Sequence, residues 1–241
     1  MNLPNTEYVG TLTGIGIGPG DPDLITVKAL KVLQAAPVLA YPAPDDGDSL
    51  ARRIVEPHLD GHHVELCIRM PMVSARFPAQ EVYDWAAEEI ANHLDAGRDV
   101  VCLCEGDPFV YGSFSFLFAR LVERYNVVVV PGVSSITACA AVVGAPLATR
   151  NDVFSVVPGT LDEADLRRQL EHVDAAAIIK VGRHLPKIRR VLQTLGLEAN
   201  ARYVERATMM EQNSMPLSDF SAEQAPYFSI VLVHKRGLAW N

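Results

Sequence analysis

The chain has 241 residues, 49% of them apolar, and a formal charge of −8, which is enough for one large domain or two modest ones with cores of their own. No apolar run approaches the ~18 residues that span a bilayer, and the opening MNLPNTEYVG has neither a basic region nor an apolar core, so a cytoplasmic protein with no membrane partner is expected. The acidic balance and the absence of any Lys/Arg block exclude a general nucleic-acid binder, because phosphate contacts need a concentrated basic surface.

An anionic small substrate needs only a few local arginines, and Arg52, Arg53, Arg69, Arg76 and Arg150 are available for that. The four cysteines, Cys67, Cys102, Cys104 and Cys139, form no CxxC pair and read as buried thiols. The seven histidines, at 58, 62, 63, 93, 172, 184 and 234, show neither HxxxH nor HExxH spacing, and no dedicated metal site is expected.

In chain order, TLTGIGIG (11–18) reads as a strand, followed by a helix from Pro22 to about Ala36. PVLAY (37–41) is a second strand, with a helix near 48–58 after it. HHVELC (62–67) precedes a long helix from Pro78 to Ala96, DVVCLC (99–104) precedes a helix near 113–124, and VVVVP (127–131) precedes one at 133–143. This alternation predicts an α/β domain with a largely parallel sheet.

GAPLATRND (144–152) breaks from the apolar helix before it and reads as a linker, so the expected domains are 1–147 and 148–241. In the second, strands at 154–159, 176–182, 201–206 and 228–235 alternate with helices at 162–172 and 185–195. The fold class is therefore α/β, with two α/β lobes and an active-site cleft between them, where small ligands usually bind.

The chemistry concentrates in turns. GIGIGPGDPDLIT (14–26) has glycines at 14, 16, 18 and 20, which permit a sharp turn and a close approach of backbone to ligand. Asp21 reads as an N-cap, with Pro22 at the first helical position and Asp23 in the first turn. The dinucleotide fingerprint G-x-G-x-x-G fails in both registers, since its sixth position is Pro19 or Asp21. Two acids here would repel a pyrophosphate but not a sulfonium cation. A second Gly-Asp-Pro turn, EGDPFVYGSF (105–114), follows the strand DVVCLC, at the carboxyl end where open α/β sheets keep their ligands.

With PGVSS (131–135), APLA (145–148), KVGRHLPKI (180–188) and VERAT (204–208), these turns resemble the tetrapyrrole methylase family over nearly the whole chain. That family carries GxGPGDP after its first strand, a GDP loop after the fourth, and PGxxS/T opening the next helix. The resemblance implies an S-adenosylmethionine site, with S-adenosylhomocysteine as product, built from Pro19, Gly20, Gly106, Asp107, Val110, Ser134, Ser135, Val181, Ala207 and Ser229. It also implies a homodimer, and methyl transfer to a ring carbon of a tetrapyrrole on the cobalamin pathway.

The form of the GDP loop resembles that of family members acting at C20 of precorrin-2 or its cobalt-containing counterpart. Another ring carbon, or a non-catalytic S-adenosylmethionine-binding module, is the alternative reading. A meso carbon conjugated to pyrrole nitrogens is already electron-rich, so placement carries most of the catalysis and a base is needed only to take up a proton. Asp21, Glu105 and Tyr111 are the candidates for it. Arg69, Arg76 and Arg150 are the candidates for the substrate's carboxylates, and Met70 and Met72 for contact with a macrocycle face.

Overall fold

A computed structural model describes residues 8–70 and 76–237, with the side chains of residues 76–79 left out of the description. The chain divides into two compact units, the first ending at Ser134 and the second beginning at Ser135.

In the first unit, strands β1 (Leu12–Gly16), β2 (Val38–Pro44), β3 (Val64–Met70), β4 (Val100–Cys104) and β5 (Val127–Val130) form one sheet in the order β3-β2-β4-β1-β5. Every pairing in it is parallel. Helices α1 (Val27–Ala35), α2 (Leu50–Val55), α3 (Arg76–Asp95) and α4 (Phe114–Leu121) connect the strands. Alternation along β4 shows how the sheet buries both faces. Val100, Cys102 and Cys104 join a core with Tyr83, Ile90 and Leu94 of α3 and Phe114 and Leu117 of α4. Val101 and Leu103 join the opposite core with Leu33 of α1 and Ile54 of α2. Among the cysteines, all free, Cys102, Cys104 and Cys139 are buried and Cys67 is half-buried; burial pushes the Cys139 thiol up to about 12.

The helix expected from Pro22 is interrupted. Asp21 caps only a single 3-10 turn, Pro22–Leu24, its side chain accepting from the Asp23 amide at 2.9 Å. Ile25 is extended, and Thr26 caps α1 by accepting from the Ala29 amide at 3.2 Å. Proline at a first helical position suits a 3-10 turn as well as an α-helix, and the second cap, Thr26, decides where the longer helix starts.

The second unit holds α5 (Ser135–Val143), β6 (Phe154–Pro158), α6 (Glu163–Glu171), β7 (Ala175–Ile179), α7 (Leu185–Thr194), β8 (Ala201–Glu205), β9 (Asn213–Pro216) and β10 (Ser229–His234). Its sheet runs β6-β7-β10-β8-β9, with β6 and β7 parallel and the other pairs antiparallel. Ala176 and Ile178 face α6 and α7, whereas Ala177 and Ile179 join Ile136, Ala138 and Cys139 of α5. That packing assigns α5 to the second unit and moves the boundary from the expected 147/148 to 134/135. Composition marks the Gly/Pro-containing stretch after α5; the side chains of α5 itself decide which core it joins. Strand β9 was not expected, because NSMP lacks the apolar alternation that marks a strand. No helix among the described residues is long and apolar enough to cross a membrane.

The 144–152 segment is fastened to β10 by one carboxylate. Asp152 accepts from the Thr149 amide at 2.8 Å and lies 3.2 Å from His234 Nε2 and 2.5 Å from Arg236 Nη2. His234 Nδ1 accepts from the Arg236 amide, so the neutral ring carries its proton on Nε2 and donates it to Asp152. The Thr149 amide, aided by His234, the Thr149 hydroxyl and the Arg236 charge, holds the Asp152 carboxyl down to about 2 against its own desolvation. A depressed carboxyl contributes stability above its unfolded value of ~4 and loses it as pH falls through the folded value. Between about pH 4 and pH 2, the melting temperature of the parent should therefore fall more steeply than that of Asp152→Asn. Parallel curves from calorimetry would show that this carboxylate is not linked to folding.

Candidate active site

Three loops leave the carboxyl ends of adjacent parallel strands, and the backbone stitches them together. After β1, Ile17 donates its amide to Cys104 O at 3.0 Å, and Gly18 pairs with Gly106 as an isolated bridge in which the Gly106 amide donates to Gly18 O at 2.8 Å. After β5, the Gly132 amide donates to Asp107 Oδ2 at 3.0 Å, while Asp107 Oδ1 accepts from the Phe109 amide at 2.9 Å. One carboxylate thus turns its own loop and holds the next, using both oxygens.

The approach is close because two of the residues have no side chain. A Cβ on Gly132 would stand 2.2 Å from Gly106 O and 2.6 Å from Gly16 Cα, and one on Gly16 would stand 2.5 Å from Gly132 Cα. Gly106 is itself left-handed, with φ at 67°. The resemblance picks out Gly106 and Asp107, but Gly16 and Gly132 were missed as a contact. Both lie in the quoted GxGPGDP and PGxxS/T segments, and the spacing within each segment gives no sign that the two meet.

The structure gathers Pro19, Gly20, Asp21, Glu105, Gly106, Asp107 and Ser134 into these three loops. Pro19 is buried, and Val110 and Tyr111 are exposed, Tyr111 with φ at 57°. Ser135 begins α5. In the second unit Val181, Ala207 and Ser229 are buried, and the Ser229 hydroxyl donates to Pro226 O at 2.7 Å. Ala207 follows β8 and Ser229 opens β10, on neighbouring strands, whereas Val181 packs in the opposite core beside Leu185 and Ile188. A cavity of about 230 Å³ in this unit is lined by Leu147, Phe154, Arg202, Leu232 and His234, among others, and by none of the expected cofactor residues.

Of the three substrate arginines, Arg69 sits at the carboxyl end of β3, where its Nη1 donates to Pro44 O at 2.9 Å and Asp45 O at 3.1 Å. Arg150 is exposed in the 144–152 segment of the second unit, with φ at 51°. The Arg76 side chain and Met72 lie outside the described residues, and Met70 is half-buried at the end of β3.

Glu105 stands out electrostatically. Glu105 is half-buried directly after β4; burial pushes its carboxyl up, opposed only by a hydrogen bond from its own backbone amide. A raised carboxyl is favourable to folding in its protonated form, so its cost is absent at low pH and appears as pH rises through the folded value. Glu105→Gln should leave the melting temperature at neutral pH equal to or above that of the parent, with any gain vanishing toward about pH 4. A loss of stability at neutral pH would mean that the bond from its own amide outweighs the cost of burying the charge.

The segments 14–26, 105–114 and 131–135 contain four acids, Asp21, Asp23, Glu105 and Asp107, and no lysine or arginine. That donor set suits a cation and opposes a phosphate.

Residues 11–219 match the family model described as tetrapyrrole (corrin/porphyrin) methylases. A Sinorhizobium protein named precorrin-2 C(20)-methyltransferase is 45% identical over 93% of this chain and 95% of its own length. A Salmonella typhimurium protein named cobalt-precorrin-2 C(20)-methyltransferase is 32% identical over 94% of this chain and 97% of its own. The cobalamin biosynthesis protein CobIJ of Mycobacterium bovis is 43% identical over 93% of this chain; the chain spans 46%, about half, of that relative's length. Among solved structures, uroporphyrin-III C-methyl transferase from Thermus thermophilus complexed with S-adenyl homocysteine has the same fold, with a TM-score of 0.70, 24% identity and coverage of 94% of this chain and 98% of that one. By its match to the family model and its near full-length relatives, the chain belongs to the tetrapyrrole (corrin/porphyrin) methylase family.

Proposed function

We propose that the protein transfers a methyl group from S-adenosylmethionine to C20 of precorrin-2 or its cobalt-containing counterpart. The observation that carries this reading is the 45% identity, over nearly the whole length of both chains, to the Sinorhizobium protein of that name. The three stitched loops support it, being rich in acidic groups and lacking any lysine or arginine that would attract phosphate.

When bound, the cofactor supplies a methyl group on a sulfonium, activated toward in-line displacement. The chain's part is placement. The Gly16–Gly106–Gly132 junction fixes the three loops relative to one another, and Asp107 holds two of them. Pro19, Gly20, Gly106, Val110, Ser134 and Ser135 are proposed to line the cofactor, and Val181, Ala207 and Ser229 to contact its adenosine or methionine part. Glu105, with a raised affinity for protons, ranks first as acceptor of the proton lost from the product, ahead of Asp21, which is engaged as a cap, and Tyr111.

Arg69 is proposed to reach a substrate carboxylate from the carboxyl edge of the sheet, with Arg76 and Arg150 as further cations. A homodimer completes the proposal, supported by the exposed Phe109, Val110, Phe116 and Val122. The test is an anaerobic incubation with S-adenosylmethionine and either metal-free or cobalt-loaded precorrin-2, read by mass spectrometry. The reading predicts the gain of one methyl group; cofactor binding with no gain on either substrate would favour the non-catalytic alternative.

A further inference from the structure

The turn that enters β3 brings together three metal-ligating side chains. Asp60, His62 and His63 each present a ligand atom, and the three atoms lie within 4.8 Å of one another. Gly61, with φ at 85°, folds the turn back so that the Asp60 carboxylate meets both the His62 amide, at 3.2 Å, and His62 Nδ1. The His62 and His63 rings lie with centroids 3.9 Å apart.

His63 supplies the independent observation. Its Nε2 lies 2.9 Å from Leu33 O, an acceptor only, so that nitrogen carries the ring proton and Nδ1 is left with a bare lone pair. That Nδ1 is buried and has no hydrogen-bond partner among the described residues. A neutral imidazole with one N–H held by a backbone carbonyl and the other nitrogen open is the form in which histidine binds metals. A buried acceptor without a partner is also costly to keep.

We propose that Asp60, His62 and His63 form a binding site for a divalent first-row transition ion of the zinc type. Two imidazole nitrogens and one carboxylate oxygen are the donor set such ions prefer, whereas magnesium and calcium prefer oxygen alone. Tetrahedral bonds of ~2.0–2.1 Å put ligand atoms ~3.3 Å apart, so the three groups need only small side-chain rotations. Those are available to Asp60 and His62, whose side chains are 73% and 42% exposed. Where His62 Nδ1 carries a proton, the cation displaces it to solvent, and water completes the coordination.

The site precedes β3, at the amino ends of parallel strands whose carboxyl ends bear the three loops. It is therefore separate from the methyl-transfer chemistry. The histidine spacing considered in the sequence, HxxxH and HExxH, did not cover a D-x-H-H turn.

The test is calorimetric titration of the untagged full chain with Zn²⁺ alone, together with Co²⁺ absorption as a report on coordination. Expected is one equivalent bound with a Kd below about 100 μM, weakened at least tenfold, or ~1.4 kcal/mol, in His62→Ala, His63→Ala and the nearly isosteric Asp60→Asn, and unchanged in His172→Ala. Charge-transfer and d–d bands of a nitrogen-oxygen site should appear with Co²⁺ and disappear in the same variants. No saturable binding, or binding that survives His63→Ala or Asp60→Asn, would overturn the proposal.

Discussion

Gly132→Ala is expected to lose the three-loop junction and with it cofactor binding. The added Cβ has backbone on two sides, Gly106 O at 2.2 Å and Gly16 Cα at 2.6 Å, so no side-chain rotation relieves the clash and two strands' connections must separate. Overpacking of this kind costs about 3 kcal/mol, which for a chain of this size lowers the melting temperature by roughly 10 °C. The Gly132 amide also moves away from Asp107, so S-adenosylmethionine affinity should fall with stability. A melting temperature within about 1 °C of the parent would mean that the loops stand further apart than described.

Asp107→Asn separates a holding role from a direct ligand role. The carboxylate accepts from Phe109 and Gly132 amides through different oxygens, and an asparagine offers one oxygen and one amide group, so one N–H is left facing another donor. Losing a hydrogen bond to a charged acceptor costs about 2–3 kcal/mol, and the substitution should lower the melting temperature and raise the Kd for S-adenosylmethionine at least tenfold, or ~1.4 kcal/mol. If the affinity falls while the melting curve is unmoved, Asp107 acts on the ligand alone and the loops are held by something else. Titration calorimetry and thermal melts on the same preparation distinguish the two.

The first unit was largely legible in the sequence because each element carries its own signal. β4 alternates between two buried faces, and the Gly-Asp-Pro turns announce where the functional end of the sheet lies. Where the reading departed from the structure, the deciding interaction was either a second local signal or a contact between elements distant in sequence. Thr26 caps α1 although Pro22 is the better local start signal, and α5 joins the second unit through Ile136 and Cys139 packing on Ile179 and Ile230. Asp107 was legible as a site residue, but not as the clamp on Gly132, 25 residues further along the chain. The Asp60–His62–His63 cluster carries no spacing signal in the sequence, because its side chains come from one tight turn with left-handed Gly61 inside it, not from a helix with regular spacing.

The most direct test of the proposed function is the position of the new methyl group. Incubation of the purified protein with S-adenosylmethionine carrying a carbon-13 methyl and with anaerobic precorrin-2, followed by NMR of the product, should give a single new methyl resonance correlated with C20. A labelled methyl on any other ring carbon would contradict the assignment within the family, and cofactor binding without a labelled product on either the metal-free or the cobalt-containing substrate would contradict the assignment of this catalytic activity.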